Sequence, residues 1–504
     1  MFQSITFVFS VWRAFAARRR MIPPAAAPVF ALLFALGGCA SLEQRQAEVM
    51  AAATVAVPGA WSVSAPPLSG SAPAPDMLAA WWRQFGDERL ERLIDAALTD
   101  APDARSAQAR LRQARAQRAL AVANLYPSLG VSASATRSRS GTGTGGSGKS
   151  QTLYTAGFDA RWEPSIFGGL VDAADAAEAD AAAAEAGLES TRASLAAEVA
   201  LEYVNLRSSQ QRLAFVRANV DSQAETLRIS EWRELAGLVT RLDVEQARAS
   251  LEQSRAALPG LEVARARAEH RLSVLTGQAP GRLRETLRDP LALPAPPDEI
   301  AVGIPADTLR QRPDVRAAEL ALRAEIARTA QSEAERYPSL SLSGSFNWRA
   351  FSLTALGGSG NLTRSLAASL AAPLFDAGRI DSRIAAQTAA RDQAFVAWEK
   401  SLLVALEDVE NAMSAYANGR DQVDFRRRAA LAAASAATLS RAQYQAGLVD
   451  FQRVLESERA RLTAQDNLVS AEAEVLTAVI QLYKALGGGW NAAGNAASME
   501  PSRS

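Results

Sequence analysis

The sequence is poor in the residues from which most catalytic and metal sites are built. Its 504 residues include one cysteine, Cys39, and one histidine, His270. A structural zinc site needs several thiolates or imidazoles, and one cysteine with one histidine is too few to form it. A single cysteine also cannot form an intrachain disulfide. His270 lies in a helical pattern and is expected on a helix surface. We therefore expect no enzyme activity, no metal and no other cofactor.

The chain also lacks an excess of charge of either sign and a long apolar run. Its 54 basic and 54 acidic residues leave a net charge of +0. Such a balance gives no electrostatic reason for binding to nucleic acid, so we expect none. The apolar run at residues 29–36 is too short to cross a bilayer as a helix.

That run belongs to an N-terminal segment with the layout of a signal peptide. Arg18, Arg19 and Arg20 precede it, and LGGC at residues 36–39 follows it. The tetrapeptide resembles the lipobox of bacterial lipoproteins, which implies a signal peptide over residues 1–38 and acylation of Cys39. The alternative is an ordinary signal peptide with a chance cysteine. No aspartate follows the cysteine, and in such lipoproteins this implies sorting to the outer membrane.

The remainder of the chain is internally duplicated. PDAR at residue 102 and YPSL at residue 126 recur as PDVR at 313 and YPSL at 337, about 211 residues later. This period is too long for a solenoid unit and indicates two homologous halves. The predicted divisions are an Ala/Pro/Ser-rich extended tether (39–80), a first repeat (81–277), a Pro-rich connector (278–305), a second repeat (306–490) and a disordered tail (491–504).

Alternation of apolar and polar residues predicts two strands in each half. They cover about 128–137, 152–163, 339–348 and 364–373. Each has the length of a membrane-spanning β-strand, yet four strands cannot close a barrel, and lipid does not tolerate open sheet edges. Either the strands form a soluble sheet, or several chains share one barrel. Two chains give a filled eight-stranded barrel and three give twelve strands with an open lumen, so a pore requires at least a trimer.

Long helices separate these strands. Residues 169–236 contain no proline, and an apolar residue recurs every seventh position at Val199, Leu206 and Leu213. A seven-residue repeat is typical of coiled coils, and a helix of this length extends about 100 Å. A helix from 87 to 124, stacked end to end on one from 241 to 276, would match it. The second half repeats the pattern.

Four further stretches carry a resemblance to a known family. They are WWRQFGDERLERLIDAAL at residue 81, LRQRPDVRAAELALRAE at 309, PLFDAGR at 373 and LYKALGGGW at 482. With the lipobox, they resemble the outer-membrane efflux proteins, the TolC-like exit ducts, and within them the OprM/NodT-type lipoproteins. The likeness extends from about Trp81 to Trp490.

The resemblance implies a mainly α fold with a membrane β-barrel. Three chains would share a 12-stranded barrel in the outer membrane, and their long helices would form a coiled-coil α-barrel in the periplasm. The implied function is a passive exit duct of a tripartite efflux pump. Its partners would be outer-membrane lipid, a periplasmic adaptor protein and an inner-membrane pump of the RND type.

The resemblance also implies functional residues at the turns of the two long hairpins. The Gly-Leu turns that meet the adaptor match Gly237 and Leu238 in the first hairpin, and Gly447 and Leu448 in the second. If these glycines are only helix caps, adaptor contact is still possible.

A periplasmic gate is implied near the same turns. An Asp–Tyr pair that links the two hairpins in the family matches Asp243 and Tyr444. Alternatively, Asp243 is a favourable charge at a helix N-terminus, and Tyr444 is a packing residue of the coiled coil. Where TolC has two Asp constriction rings, this chain has Arg453 and Glu456. If these residues line a throat, its charge would be nearly balanced. The alternative is that Arg453 and Glu456 form only an exposed ion pair within one helix.

Three other functions compete with an efflux duct. A structural coiled-coil lipoprotein without a pore would not need the four alternating strands. A lipid-anchored periplasmic enzyme would need a catalytic constellation, which the sequence lacks. A duct for type I protein secretion has the same architecture, although the lipobox and LYKALGGGW favour drugs or other small molecules.

Overall fold

A computed structural model describes residues 42–53, 55–63, 68–69, 74–139, 149–297 and 299–490. The chain divides into two compact units, Met1–Ala52 and Ala53–Ser504. In the first, the described part is one helix, α1 (Leu42–Ala51). Cys39, the predicted signal peptide and the predicted C-terminal tail lie outside the described residues.

Helices dominate the second unit. In chain order they are α2 (Pro75–Ala79), α3 (Glu88–Asp100), α4 (Pro102–Ala123), α5 (Gly169–Leu235), α6 (Arg241–Leu275), α7 (Pro305–Gln311), α8 (Pro313–Ala334), α9 (Arg379–Gln445) and α10 (Phe451–Ala485). Helices α5 and α9 have 67 residues each, which corresponds to about 100 Å. Across the described ranges, no helix combines the length and the apolar composition needed to traverse a bilayer.

Each long helix packs against two shorter helices placed end to end. Helices α4 and α6 both contact α5, and α8 and α10 both contact α9. The stacking joint in the first half is tight, because a Cβ on Gly277 would lie 2.6 Å from the carbonyl oxygen of Asp100. In the second half, a Cβ on Gly487 would lie 3.0 Å from the Gln311 carbonyl oxygen. The seven-residue repeat faces this packing, and Val199, Leu206 and Leu213 are buried.

The predicted helix from 87 to 124 is in fact two helices. It breaks at Ala101, whose backbone is extended (φ −57°, ψ 136°). The ring of Pro102 disfavours a helical conformation in the residue before it, so the chain turns there and restarts as α4. The second half breaks at Arg312, before Pro313, for the same reason (φ −73°, ψ 121°).

The strands of the two halves form one antiparallel sheet in the order β2-β3-β5-β6. They are β2 (Ser128–Arg139), β3 (Ser150–Trp162), β5 (Ser339–Ala350) and β6 (Leu362–Ala371). At the loop end each extends two residues beyond its predicted range, because backbone pairing such as that of Arg139 with Ser150 continues there. Helices α4, α5, α8 and α9 connect to the strands at the other end of the sheet.

The sheet has one apolar and one polar face. Val131, Phe158 and Phe346 are successive cross-strand partners on the apolar face, and Ser132, Gly157 and Asn347 are the partners beside them on the polar face. Strands β2 and β6 are the edges, and almost all of their residues are exposed. A single chain therefore presents two unpaired edges.

The described part of residues 39–80 is more ordered than the predicted tether. Helix α1 occupies ten of these residues, and β1 (Leu68–Ser69) pairs in parallel with β4 (Ile300–Ala301) in the connector. The Trp61 indole N–H donates to the Gly303 carbonyl oxygen at 3.1 Å. An apolar residue such as Trp61 gains free energy by burial against the core, which holds the segment in place.

A buried polar cluster joins the connector to α5. Arg207 is fully buried; it donates to the Tyr203 hydroxyl at 2.9 Å and to the Asp289 carbonyl oxygen at 3.0 Å. The Tyr203 hydroxyl in turn donates to the Asp87 carboxylate, which also caps the N-terminus of α3. Burial and this hydrogen bond to Asp87 raise the pKa of Tyr203 to about 12.

Candidate functional site at the hairpin turns

Two helical hairpins project away from the sheet, α5–α6 in the first half and α9–α10 in the second. Both turns have the same backbone geometry. Gly237 and Gly447 adopt φ values of 69° and 75°, which glycine reaches without a steric cost. The Leu238 and Leu448 amides donate back to the Arg233 and Gln443 carbonyl oxygens at 2.8 and 2.9 Å. These bonds are those of a Schellman cap, and they leave both leucines exposed.

The two turns nevertheless differ in their surfaces. The first presents an apolar patch of Trp232, Leu235, Leu238 and Leu242, whose exposed fractions lie between 61% and 86%. The equivalent positions of the second turn hold Ala442, Gln445, Leu448 and Gln452. Leu238 and Leu448 were predicted from the sequence, whereas Trp232, Leu235 and Leu242 were not. A comparison of the two halves at these positions would have found them.

The structure does not bring Asp243 and Tyr444 into a hydrogen bond within one chain. Asp243 is the third residue of α6, and its carboxylate accepts the Thr240 amide at 2.9 Å and the Thr240 hydroxyl at 2.8 Å. Thr240 reciprocates as the helix cap. This reciprocal pair is a capping box. Within one chain, Asp243 therefore caps the N-terminus of α6.

Tyr444 is instead bound through its ring and its backbone. The Arg233 guanidinium lies 4.6 Å from the ring centroid and donates to the Tyr444 and Gln445 carbonyl oxygens at 3.5 and 3.3 Å. Phe451 also packs against the Tyr444 ring, and the two ring centroids are 5.5 Å apart. The buried Tyr444 hydroxyl has no hydrogen-bond partner among the described residues. Arg233, which the sequence did not single out, thus ties the first hairpin to the second.

Arg453 and Glu456 form an exposed pair on the first turns of α10. Their nitrogen and oxygen are 3.5 Å apart, and more than half of each side chain is exposed. An exposed pair three residues apart contributes only a few tenths of a kcal/mol. Within one chain they are therefore an exposed intrahelical ion pair, which was the alternative to a throat. They place charges of opposite sign near the turn.

A second link between the hairpins centres on Glu458. This buried carboxylate binds Arg441 and, at 2.9 Å, Arg461. The two arginines then donate across to the first hairpin, to the Ser222 hydroxyl at 2.9 Å and to the Asn219 amide oxygen at 3.3 Å. Glu458 thus orients the two arginines that bond to the first hairpin. None of the described residues form a group of three metal-ligating side chains.

Comparisons with known proteins agree with this architecture. A family model described as outer membrane efflux protein matches residues 93–278 and 304–488. The pyoverdine export outer membrane protein OpmQ of Pseudomonas aeruginosa is 31% identical over 445 residues, which cover 86% of this chain and 92% of that protein.

Solved structures match at the level of the whole fold. The outer-membrane channel OprN superimposes with a TM-score of 0.81 at 32% identity, covering 87% of this chain and 99% of that one. The open state of the MtrE outer membrane channel of Neisseria gonorrhoeae gives 0.75 at 26% identity, with 87% and 96% covered. The chain belongs to the outer membrane efflux protein family and is an outer-membrane exit duct of an efflux pump.

Proposed function

We propose that three copies of this chain form one passive channel, with a shared β-barrel in the outer membrane and six helical hairpins in the periplasm. The observation that carries the proposal is the single sheet with one apolar face and two open edges. An edge in lipid must be paired, and three copies supply the twelve strands that leave a water-filled lumen.

Conductance and mass test this assembly together. Purified protein is expected to have the mass of three chains in mild detergent and to conduct ions across a planar bilayer. A stable monomer or dimer without conductance would contradict the shared barrel. It would favour a coiled-coil lipoprotein without a pore.

The hairpin turns are the proposed contact with a periplasmic adaptor protein, which links the duct to an inner-membrane pump of the RND type. Support comes from the exposed Leu238 and Leu448, held outward by the two Schellman caps. The apolar patch of the first turn makes it the stronger contact, since burial of apolar area drives most protein association. The relative OpmQ is named for pyoverdine export, which favours small-molecule cargo over type I protein secretion.

The same turns are the proposed gate. Asp243, Tyr444, Arg453 and Glu456 surround them, and the links through Arg233 and Glu458 hold the two hairpins of a chain together. Opening requires the hairpins to separate, so each link favours the closed state. The Tyr444 hydroxyl is buried without a hydrogen-bond partner among the described residues, so a bond to the Asp243 carboxylate of another copy would require the Tyr444 side chain to move.

The paired substitution Asp243→Ala with Tyr444→Phe tests that role. Removing both groups is expected to raise single-channel conductance while trimer mass stays constant. Thr240→Val with Asp243 intact removes the cap hydroxyl and serves as the control for loss of the capping box. Equal conductance in the double variant and the wild type would remove these two residues from the gate. Strong cation selectivity would contradict a throat balanced by Arg453 and Glu456.

The proposed lipid anchor is Cys39, acylated after removal of residues 1–38. LGGC at 36–39 supports it. Two or three acyl chains anchor a protein stably, so the anchor adds to the membrane attachment of the strands.

A further inference from the structure

The loop end of the sheet is basic, although the chain as a whole is neutral. Its basic residues are Arg137, Arg139, Lys149, Arg349 and Arg364. The two loops at this end, residues 140–149 and 351–361, contain no aspartate or glutamate. The only acidic residue in the four strands, Asp159, lies near the helix end of β3. The sequence therefore places five basic residues and no acidic residue at the loop end.

Three of these basic residues belong to the apolar face of the sheet. Alternation along β2 places Arg137 and Arg139 on the same face as Val131. Arg364 of β6 is the direct cross-strand partner of Phe346, and its guanidinium carbon lies 5.4 Å from the centroid of that ring. All three arginines are exposed. Among the described strand residues, the apolar face carries no acidic side chain that could pair with them.

The three arginines lie at the level where a bilayer would meet water. Arg139 is the last residue of β2, Arg137 lies two residues before it, and Arg364 is the third residue of β6. Tyr154 and Trp348 lie towards the same end of the apolar face, and such aromatic residues mark the interfaces of membrane β-barrels. In the proposed assembly the hairpins are in the periplasm, so this end faces the exterior.

The arginines also belong to the two edge strands. In the proposed shared barrel, β6 of one copy is the neighbour of β2 of the next, and we call the strip between them the seam. Arg364 of one copy then lies close to Arg137 and Arg139 of another, on the lipid side. Like charges on neighbouring strands destabilise a sheet, and a surrounding of low dielectric constant strengthens their repulsion. An anion bound at the seam would remove this repulsion.

We propose that each seam binds the phosphate groups of an outer-leaflet glycolipid through Arg137 and Arg364, with Arg139 beside them. The arginine fork forms bidentate hydrogen bonds with phosphate, and its apolar stem extends along the lipid-facing surface towards the headgroup. The apolar face below the arginines contacts the acyl chains. A phosphorylated glycolipid offers both groups at the exterior side of an outer membrane. The inference rests on the proposed trimer and names a lipid that it takes.

Lipid binding by the purified trimer tests the proposal. Full-length protein in mild detergent is mixed with bisphosphorylated lipid A, and bound lipid is counted by native mass spectrometry. Arg137→Gln with Arg364→Gln is expected to weaken binding roughly tenfold, because charge-assisted bonds are lost at every seam. Lipid A without phosphate groups is expected to bind wild type and variant equally weakly. Equal binding of bisphosphorylated lipid A by both proteins would overturn the proposal.

The matched control is Arg349→Gln. Arg349 lies at the same end of the sheet, next to Trp348, but alternation places it on the polar face with Thr155 as its partner. Its substitution removes the same charge and is expected to leave lipid A binding unchanged. A loss as large as that of the double variant would show that the overall charge of the loop end attracts the lipid. That result would overturn a site on the apolar face.

Two further measurements distinguish the glycolipid from other sources of phosphate. Millimolar inorganic phosphate is expected not to displace bound lipid A, because it makes no contact with the apolar face. Displacement would contradict a lipid as the ligand. Phosphatidylglycerol, with one phosphate and two acyl chains, is expected to bind several-fold more weakly than lipid A. A preference for phosphatidylglycerol would overturn the choice of a glycolipid.

The native mass reports on the assembly separately. Lipid is counted only on species with the mass of three chains, and each single variant, Arg137→Gln or Arg364→Gln, is expected to lose part of the binding if the double variant does not assemble. Intact trimers that bind lipid A with and without phosphate groups equally would overturn the lipid site alone. A wild-type mass below three chains would instead contradict the proposed function.

Discussion

At the scale of single residues, the most consequential side chains are buried polar groups that bind elements distant in sequence. Tyr203 is one. Its hydroxyl joins Arg207 on α5 to Asp87 at the start of α3, and its burial makes ionisation unfavourable. An ionised Tyr203 would lie beside the Asp87 carboxylate, with the Arg207 guanidinium as a compensating charge. The folded state therefore depends on the neutral phenol.

This dependence predicts loss of stability in alkali. The pKa of Tyr203 in the folded protein is about 12, above the ordinary value of about 10. A raised pKa contributes stability that is complete below pH 10 and is lost as the pH rises towards 12. Denaturant unfolding followed by circular dichroism is expected to show a decrease on the order of 2 kcal/mol over that range. Tyr203→Phe should be less stable at pH 8 but lose less between pH 10 and 12.

Arg233 gives a second prediction at this scale. Arg233→Gln removes a cation–π contact and two bonds to carbonyl oxygens at the second turn, together about 1–2 kcal/mol per chain. We expect a higher open probability in planar-bilayer recordings. Arg228→Gln is the control, since the ion pair of Arg228 with Glu225 and its cation–π contact with Trp232 both lie within α5. Equal recordings for both variants would show that Arg233 does not restrain opening.

At the scale of elements, the turns of the two hairpins have the same backbone conformation but different exposed side chains. Leu238→Glu and Leu448→Glu should both weaken adaptor crosslinking without changing trimer mass, because a carboxylate replaces apolar area. The effect of Leu238→Glu should be larger, roughly tenfold in affinity, because it interrupts the four-residue apolar patch. Leu431→Glu, on the exposed side of α9, is the control. Lost trimer in either turn variant would show that the turns are structural.

The elements also show what sequence patterns can predict. Period-two alternation predicted all four long strands, because one face of the sheet is apolar and the other polar. Period-seven repetition predicted the long helices, and its positions Val199, Leu206 and Leu213 are buried. The Asp243–Tyr444 bond could not be inferred in the same way. The Tyr444 hydroxyl and the Thr240 amide compete for the Asp243 carboxylate. The bond to Thr240 forms within the helix end itself, whereas the bond to Tyr444 requires the two hairpins to be placed correctly. The sequence pattern does not reveal Arg233, because its partners lie on the other hairpin, or Glu458, because it reaches the first hairpin only through Arg441 and Arg461.

At the scale of the whole molecule, two independent attachments to the outer membrane are proposed, the acylated Cys39 and the strands. Cys39→Ser should abolish incorporation of labelled fatty acid. Membrane fractionation should show only a partial loss of outer-membrane protein, because the apolar face of the sheet remains. Ser41→Ala, which leaves the cysteine in place, is the control. A wild-type protein that takes up no fatty acid would contradict the lipobox interpretation.

The open edges of the sheet have a consequence for biogenesis. A chain whose β2 and β6 lack partners cannot enter the hydrocarbon layer alone, because some twenty backbone groups would lose hydrogen bonds to water without replacement. In the periplasm the same edges would recruit any extended chain. Insertion and subunit association are thus one event, and its rate must increase steeply with the local concentration of newly exported chains. The lipid anchor would confine those chains to a surface, where three copies meet far more often than in free solution.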